Sequence, residues 1–193
     1  MIKEPCTKQL FTSARTHSHW LSKAVADDVL KELYSLAKLG PTSANSCPAR
    51  FIFVKGGTAK ASLLDVTNPG NIDKIKNAPV TVIIAWDTEF YEKLPTLTPQ
   101  KPLRDLFANT PKLTHDTAFR NSTLQGAYLM MAARTLGLDC GPMSGFDETA
   151  LNDKFFPDGK WKVNFICNIG YGDHSKLHPR NPRLDFNEAC KII

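Results

Sequence analysis

Residues Val80-Thr81-Val82-Ile83-Ile84-Ala85-Trp86 form an almost unbroken apolar run, much of it β-branched. It is far too short to span a bilayer, and its branching favours a strand. A strand without polar alternation reads as central and covered on both faces. The rest of the chain must supply that cover.

Several segments have the periodicity to do so. Val29, Leu30, Leu33, Leu36 and Ala37 repeat at helical spacing within 27–39. Asp27 and Asp28 place negative charge at the positive end of that helix, and Gly40-Pro41 terminates it. Shorter helices are expected over 59–65 and 71–77, and strands over 51–54 and 163–169. Residues 117–136 predict a long helix, ended by Gly137 and apolar around most of its circumference. Such a helix is either central or lies in a subunit interface. Strands and helices alternate, so the class is α/β or α+β. With 193 residues, 42% apolar and 22% charged, residues 1–193 read as one domain without repeat or linker.

Residues 89–111 differ in character. Pro95, Pro99, Pro102 and Pro111 are expected to break any regular element, yet Phe90, Tyr91, Leu94, Leu103 and Phe107 keep the segment apolar. It reads either as a packed surface loop or as a flap over a ligand.

Charge and cysteine usage remove whole classes. The balance of 24 Lys+Arg against 19 Asp+Glu gives +5, a mild excess that suits anionic small molecules better than nucleic acid. Five widely spaced cysteines, with no CxxC pair, argue against a disulfide framework or a zinc finger. No metal is expected, and the compartment is expected to be the reducing cytoplasm. Met1-Ile2-Lys3-Glu4-Pro5 has no apolar stretch after it, so no secretory signal is expected, and no run is long enough for a membrane. GxGxxG, GxxxxGK[ST] and HExxH are all missing.

Four pieces carry chemistry. Arg15, Thr16 and His17 offer a guanidinium, a hydroxyl and an imidazole in succession, and the planar fork of Arg suits phosphate. Pro41-Thr42-Ser43-Ala44-Asn45-Ser46 lies between a helix and a strand with free polar groups. Asn71 and Lys74 share a helix face. Gly141-Pro142-Met143-Ser144-Gly145 lets backbone approach a flat ligand closely. Taken singly, each reads as a turn, a connecting loop or a solvated face.

Together, in this order, they resemble the FMN-dependent nitroreductase family over about 15–183. Gly40 to Ser46, Asn77-Ala78-Pro79-Val80, Leu136-Gly137-Leu138-Asp139 and Ser144-Gly145-Phe146-Asp147 carry the likeness most strongly. Ala14-Arg15-Thr16-His17, Ala85-Trp86-Asp87 and Gly170-Tyr171-Gly172-Asp173 are most similar to its malonic semialdehyde reductase branch. The resemblance implies an α+β three-layer fold, with a mainly antiparallel sheet between helices, and an intertwined homodimer holding FMN at its interface. It implies Arg15 and Arg183, with Thr16 and His17, at the FMN phosphate. Asn71 and Lys74 fall at the flavin's pyrimidine edge. Met143, Ser144 and Gly145 fall over its face, and Pro41, Thr42, Ser43 and Asn45 reach it from the other subunit. NADH or NADPH is the implied hydride donor. Many relatives have larger side chains where this chain has Cys47 and Ala49, an acidic residue at Ser144, and a serine at His17. The implied reaction is reduction of malonic semialdehyde to 3-hydroxypropanoate, with Arg120 or Arg104 as candidates for its carboxylate. Alternatives are a broad nitroreductase or quinone reductase, a flavin-binding protein without activity, and thiol catalysis by Cys47 with His17 or His115.

Overall fold

The computed structural model describes residues 4–193; Met1, Ile2 and Lys3, part of the segment read for a secretory signal, lie outside the described residues. Four strands, β1 (Ala49–Val54), β2 (Val80–Asp87), β3 (Asp139–Met143) and β4 (Trp161–Gly170), form one antiparallel sheet in the order β1-β2-β4-β3. Five helices of eight residues or more surround it: α1 (Asp27–Ala37), α2 (Gly57–Asp65), α3 (Pro69–Asn77), α4 (Pro111–Thr135) and α5 (Glu148–Phe155).

Strand β2 occupies the position its composition demands. Val80, Val82 and Ile84 pack with Leu33, Leu129 and Ala133 from α1 and α4. Ile83 and Ala85 face the other way, onto Leu63, Ile75 and Leu151 from α2, α3 and α5. The result is helix, sheet, helix: an α+β fold with the sheet as its middle layer.

Helix α4 starts six residues earlier than its periodicity indicated. Pro111 opens it, because a first-turn residue needs no backbone donor and proline's fixed φ suits the start. Its buried face is partly polar. Asn121 Oδ1 accepts from Ser43 N at 2.8 Å, and Gln125 Oε1 accepts from Ala49 N at 2.8 Å, so the helix fixes the chain entering β1. Leu113, Phe119, Leu124 and Tyr128 on the same helix are exposed. The apolar circumference inferred from the sequence is therefore only partly covered by this chain.

Two segments form structure that their sequence hid. Residues 90–108 contain helical turns at Phe90–Lys93, Leu94–Leu97 and Arg104–Ala108, although its prolines were expected to forbid them. Pro95 lies in a first turn, where a missing N–H is harmless, and Phe90, Leu94 and Phe107 make a small core with Ala118. The glycine- and proline-rich stretch after α4 begins not as a loop but as β3. It is an edge strand, which tolerates Pro142 because one side of it needs no ladder donor. Among the described residues no helix is long and apolar enough to cross a membrane.

Candidate functional site

The outer side of β3 carries the first part of the site. Thr16 bridges in parallel to Cys140, and His17 N donates to the Cys140 carbonyl at 3.0 Å. Gly141 makes this approach feasible, since a Cβ there would lie 2.4 Å from the His17 carbonyl oxygen. Arg15 is thereby held in a cleft of about 570 Å³ between residues 14–19 and the tail residues 176–183. Arg15 Nη2 donates to the His178 carbonyl at 2.5 Å, and Arg180 Nη2 donates to the carbonyls of Thr12 and Ala14 at 3.0 and 2.8 Å. These bonds stitch the tail to the N-terminal segment.

Arg183 also lines the cleft, its Nη1 donating to the nearby carbonyls of Asn181 and Pro182. With Arg15, Lys176, Arg180 and Arg183 in its wall against Asp173, the cleft carries excess positive charge. Arg134, from the last turn of α4, reaches it too; its Nη1 donates to the Leu10 carbonyl at 3.0 Å, and its buried Nε has no hydrogen-bond partner among the described residues. Several guanidinium groups converging on one space suit an anion with several oxygens. Arg134 escaped the sequence reading because it resembles any basic residue near a helix C-terminus.

His17 behaves differently from the cations beside it. Its side chain is 1% exposed, and its ring lies near those of Trp20 and His174. Burial pushes its pKa down, with Asp139 opposing, so the imidazole is neutral at pH 7 rather than a further cation.

The other end of β3 carries the second part. Asn71 Nδ2 donates to the Gly145 carbonyl at 3.2 Å, and Lys74 Nζ donates to Asn71 Oδ1 at 2.9 Å. Asn168 Nδ2 donates to the Lys74 carbonyl at 2.9 Å and anchors α3 to β4. A Cβ on Gly145 would lie 2.4 Å from Asn71 Nδ2, so the loop and the amide fit together only because residue 145 is glycine. Met143 is the final residue of β3, and exposed Ser144 follows it. Three strand steps separate Cys140 from Met143, roughly 10 Å. A cationic cleft and an amide–ammonium pair thus lie at opposite ends of one short strand.

The 41–47 segment is elsewhere. Pro41 is exposed, and Thr42 leads into a turn at Ser43–Asn45. Ala44, Asn45 and Cys47 all have positive φ, of 54°, 50° and 41°. The strain is held by bonds on both sides: Thr98 Oγ1 donates to the Ala44 carbonyl at 2.6 Å, Asn45 Nδ2 to the Leu97 carbonyl at 2.8 Å, and Cys47 N to Thr42 Oγ1 at 3.1 Å. Strain pinned this firmly is characteristic of functional loops. The turn precedes β1 and the cleft flanks β3, at opposite edges of the sheet, so one chain does not bring them together.

The remaining candidates separate clearly. Arg104 is occupied, donating to Glu92 at 2.5 and 3.2 Å and to Asp105 at 2.7 Å, which raises its pKa further. Arg120 is exposed and has no ion pair among the described residues. Cys47 Sγ is 3.5 Å from Asn45 Oδ1 and 3.8 Å from Thr42 Oγ1, while His115 stacks against Phe119 and meets Trp86 edge-on. No imidazole contacts Cys47 among the described residues, so thiol catalysis lacks its base.

Comparison with known proteins identifies the family and the fold. The pattern defining the nitroreductase family matches residues 12–171. A protein from Rhodopseudomonas palustris, named "Putative NADH dehydrogenase/NAD(P)H nitroreductase", is 57% identical over 192 residues, covering 100% of this chain and 98% of its own. Among solved structures, a nitroreductase family protein from Streptococcus pneumoniae superposes with a TM-score of 0.82 at 22% identity, covering 98% of both chains. A protein from Exiguobacterium sibiricum, solved in complex with FMN, superposes with a TM-score of 0.84 at 17% identity, covering 96% of both. The chain belongs to the nitroreductase family.

Proposed function

We propose that the protein is an FMN-dependent NAD(P)H oxidoreductase, a reading that rests chiefly on the two polar groups at the ends of β3. FMN has an anionic end and a polar ring edge, and the chain offers a matching group for each. Arg15 and Arg183, with Thr16, hold the phosphate, and Arg134 adds its charge to the wall of the same cleft. Asn71 and Lys74 hold the pyrimidine edge. Met143, Ser144 and Gly145 lie against the ring, Ser144 through its backbone. When bound, FMN supplies hydride transfer between NADH or NADPH and an acceptor. Lys74 then stabilises negative charge at the ring edge from a fixed position, costing little reorganisation. The structural neighbour with FMN bound and the relative named for NAD(P)H nitroreductase support this assignment.

The site is completed by a second copy of the chain. Exposed Leu124 and Tyr128 on α4 and exposed Tyr34, Leu36 and Leu39 around α1 give an apolar face for an intertwined homodimer. In that dimer Pro41, Thr42, Ser43 and Asn45 of one copy meet the flavin held by the other, which accounts for a strained turn lying far from its own chain's cleft. Residues 89–111, bonded to that turn through Leu97 and Thr98, cover the acceptor side. Five free cysteines fit a reducing cytoplasm.

For the acceptor, the branch resemblance favours a small aldehyde acid, malonic semialdehyde, reduced to 3-hydroxypropanoate, with Arg120 receiving its carboxylate. A broad nitroreductase or quinone reductase is the second reading, favoured by the name of the 57% identical relative and by the engagement of Arg104 with its own acids. The test compares kcat/KM for malonic semialdehyde, a neutral aldehyde of similar length and a nitroaromatic. Preference for the semialdehyde upholds the first reading; a wide preference for the nitroaromatic replaces it with the second.

A further inference from the structure

Three metal-competent side chains from three separate segments meet beside the cleft, which His17 alone of the three lines. They are His17, Asp139 at the start of β3, and His174 in the turn His174–Lys176. One donor atom from each lies within 4.8 Å of the other two. His17 Nε2 is 3.4 Å from Asp139 Oδ1, and His174 Nε2 is 3.8 Å from Asp139 Oδ2.

These spacings have a chemical meaning. A tetrahedral ion bound at about 2.0–2.2 Å from nitrogen and oxygen ligands holds neighbouring ligand atoms roughly 3.3–3.5 Å apart. The His17–Asp139 pair already has that separation. His174 is 69% exposed, so it can close the remaining gap by side-chain rotation. Both ring nitrogens of His17 are buried without a hydrogen-bond partner among the described residues, an arrangement that costs stability unless something else satisfies them. Asp139 Oδ2 accepts from Gly172 N at 3.0 Å, an outer bond of the kind that orients a ligating carboxylate.

We propose that His17, Asp139 and His174 bind one divalent transition-metal ion of the zinc type, with a fourth position open to solvent beside the exposed His174. Two imidazoles and a carboxylate suit Zn²⁺, Co²⁺ or Ni²⁺ and are poor ligands for Mg²⁺ or Ca²⁺. The ion staples the segment containing His17, the edge strand β3 and the tail turn to one another, and its open position takes water. The sequence conceals the site because its donors are 17, 139 and 174 in the chain, with none of the close ligand spacing that marks zinc motifs.

The test is calorimetric titration of the purified full-length protein, flavin included, with Zn²⁺ in phosphate-free buffer. One equivalent per chain is expected, with Co²⁺ giving the visible band of a four-coordinate site. His174→Ala, at an exposed position that leaves folding intact, is expected to weaken Zn²⁺ binding at least tenfold, as is Asp139→Asn. His115→Ala, outside the cluster, is expected to bind as the unaltered protein does. Absence of stoichiometric binding, or equal affinity in His174→Ala, overturns the proposal. Because the readout is zinc heat and cobalt absorption, it stands apart from the flavin assignment.

Discussion

Replacing Gly145 by alanine adds one methyl group where the structure has no room for it. The new Cβ would lie 2.4 Å from Asn71 Nδ2 and 3.6 Å from Asn71 Cγ. Ordinary contact begins near 3.4 Å, so the amide must retreat by about 1 Å, which breaks its 3.2 Å bond to the Gly145 carbonyl. Lys74 Nζ, bound to the same amide at 2.9 Å, loses its positioning partner. A neutral hydrogen bond contributes about 0.5–1.5 kcal/mol and one from a charged donor about 1.5–3 kcal/mol. If the charged contact alone is transmitted to the flavin edge, FMN affinity falls roughly ten- to a hundred-fold. Fluorescence titration of flavin-stripped protein measures this directly. Gly70→Ala is the matched control, because a Cβ there meets nothing within 4 Å. Equal FMN affinity in Gly145→Ala and the unaltered protein would refute the placement of Asn71 and Lys74 at the flavin.

Other perturbations probe the remaining parts. Arg15→Ala and Arg183→Ala are each expected to weaken FMN binding about ten- to a hundred-fold while circular dichroism stays native; unchanged affinity in both would remove the phosphate assignment. The lowered pKa of His17 means the unfolded chain takes up its proton first on acidification. Stability should therefore fall as pH drops below about 6.5 through the lower folded-state value, and urea midpoints with chelator present should show a shallower fall in His17→Asn; identical pH profiles would contradict this. Arg120→Ala should raise KM for an aldehyde acid but not for a neutral aldehyde. Arg104→Ala, which loses exposed pairs with Glu92 and Asp105 and a 6.0 Å contact over the Tyr91 ring, should leave both unchanged. Reversal of that contrast in steady-state kinetics would exchange the two roles.

The legible parts of the sequence were those dictated by burial. Val80–Trp86 could only be a central strand, and Leu30, Leu33 and Ala37 could only face a core. What stayed hidden depended on position. Pro142 masked a strand because its tolerance at an edge is a property of the sheet, and Pro111 masked six residues of α4 because its cost vanishes in a first turn. At the site, Arg15, Asn71 and Lys74 stood out through type and spacing, and the structure places Arg15 in the cleft and bonds Asn71 to Lys74. Asp139 and His174 did not, since nothing in the chain indicates that residues 35 apart converge on His17. Arg104 appeared available in sequence only because Glu92, twelve residues away, folds back onto it.

A redox-active FMN held by this chain has a visible signature. The purified protein, scanned in the visible range under anaerobic conditions before and after addition of NADH and then NADPH, tests it most directly. An oxidised flavin spectrum that bleaches with at least one of the two donors is expected, with a chromophore that elutes as FMN after release. A protein that binds no flavin when reconstituted, yields only FAD, or keeps its spectrum unchanged with both donors would contradict it.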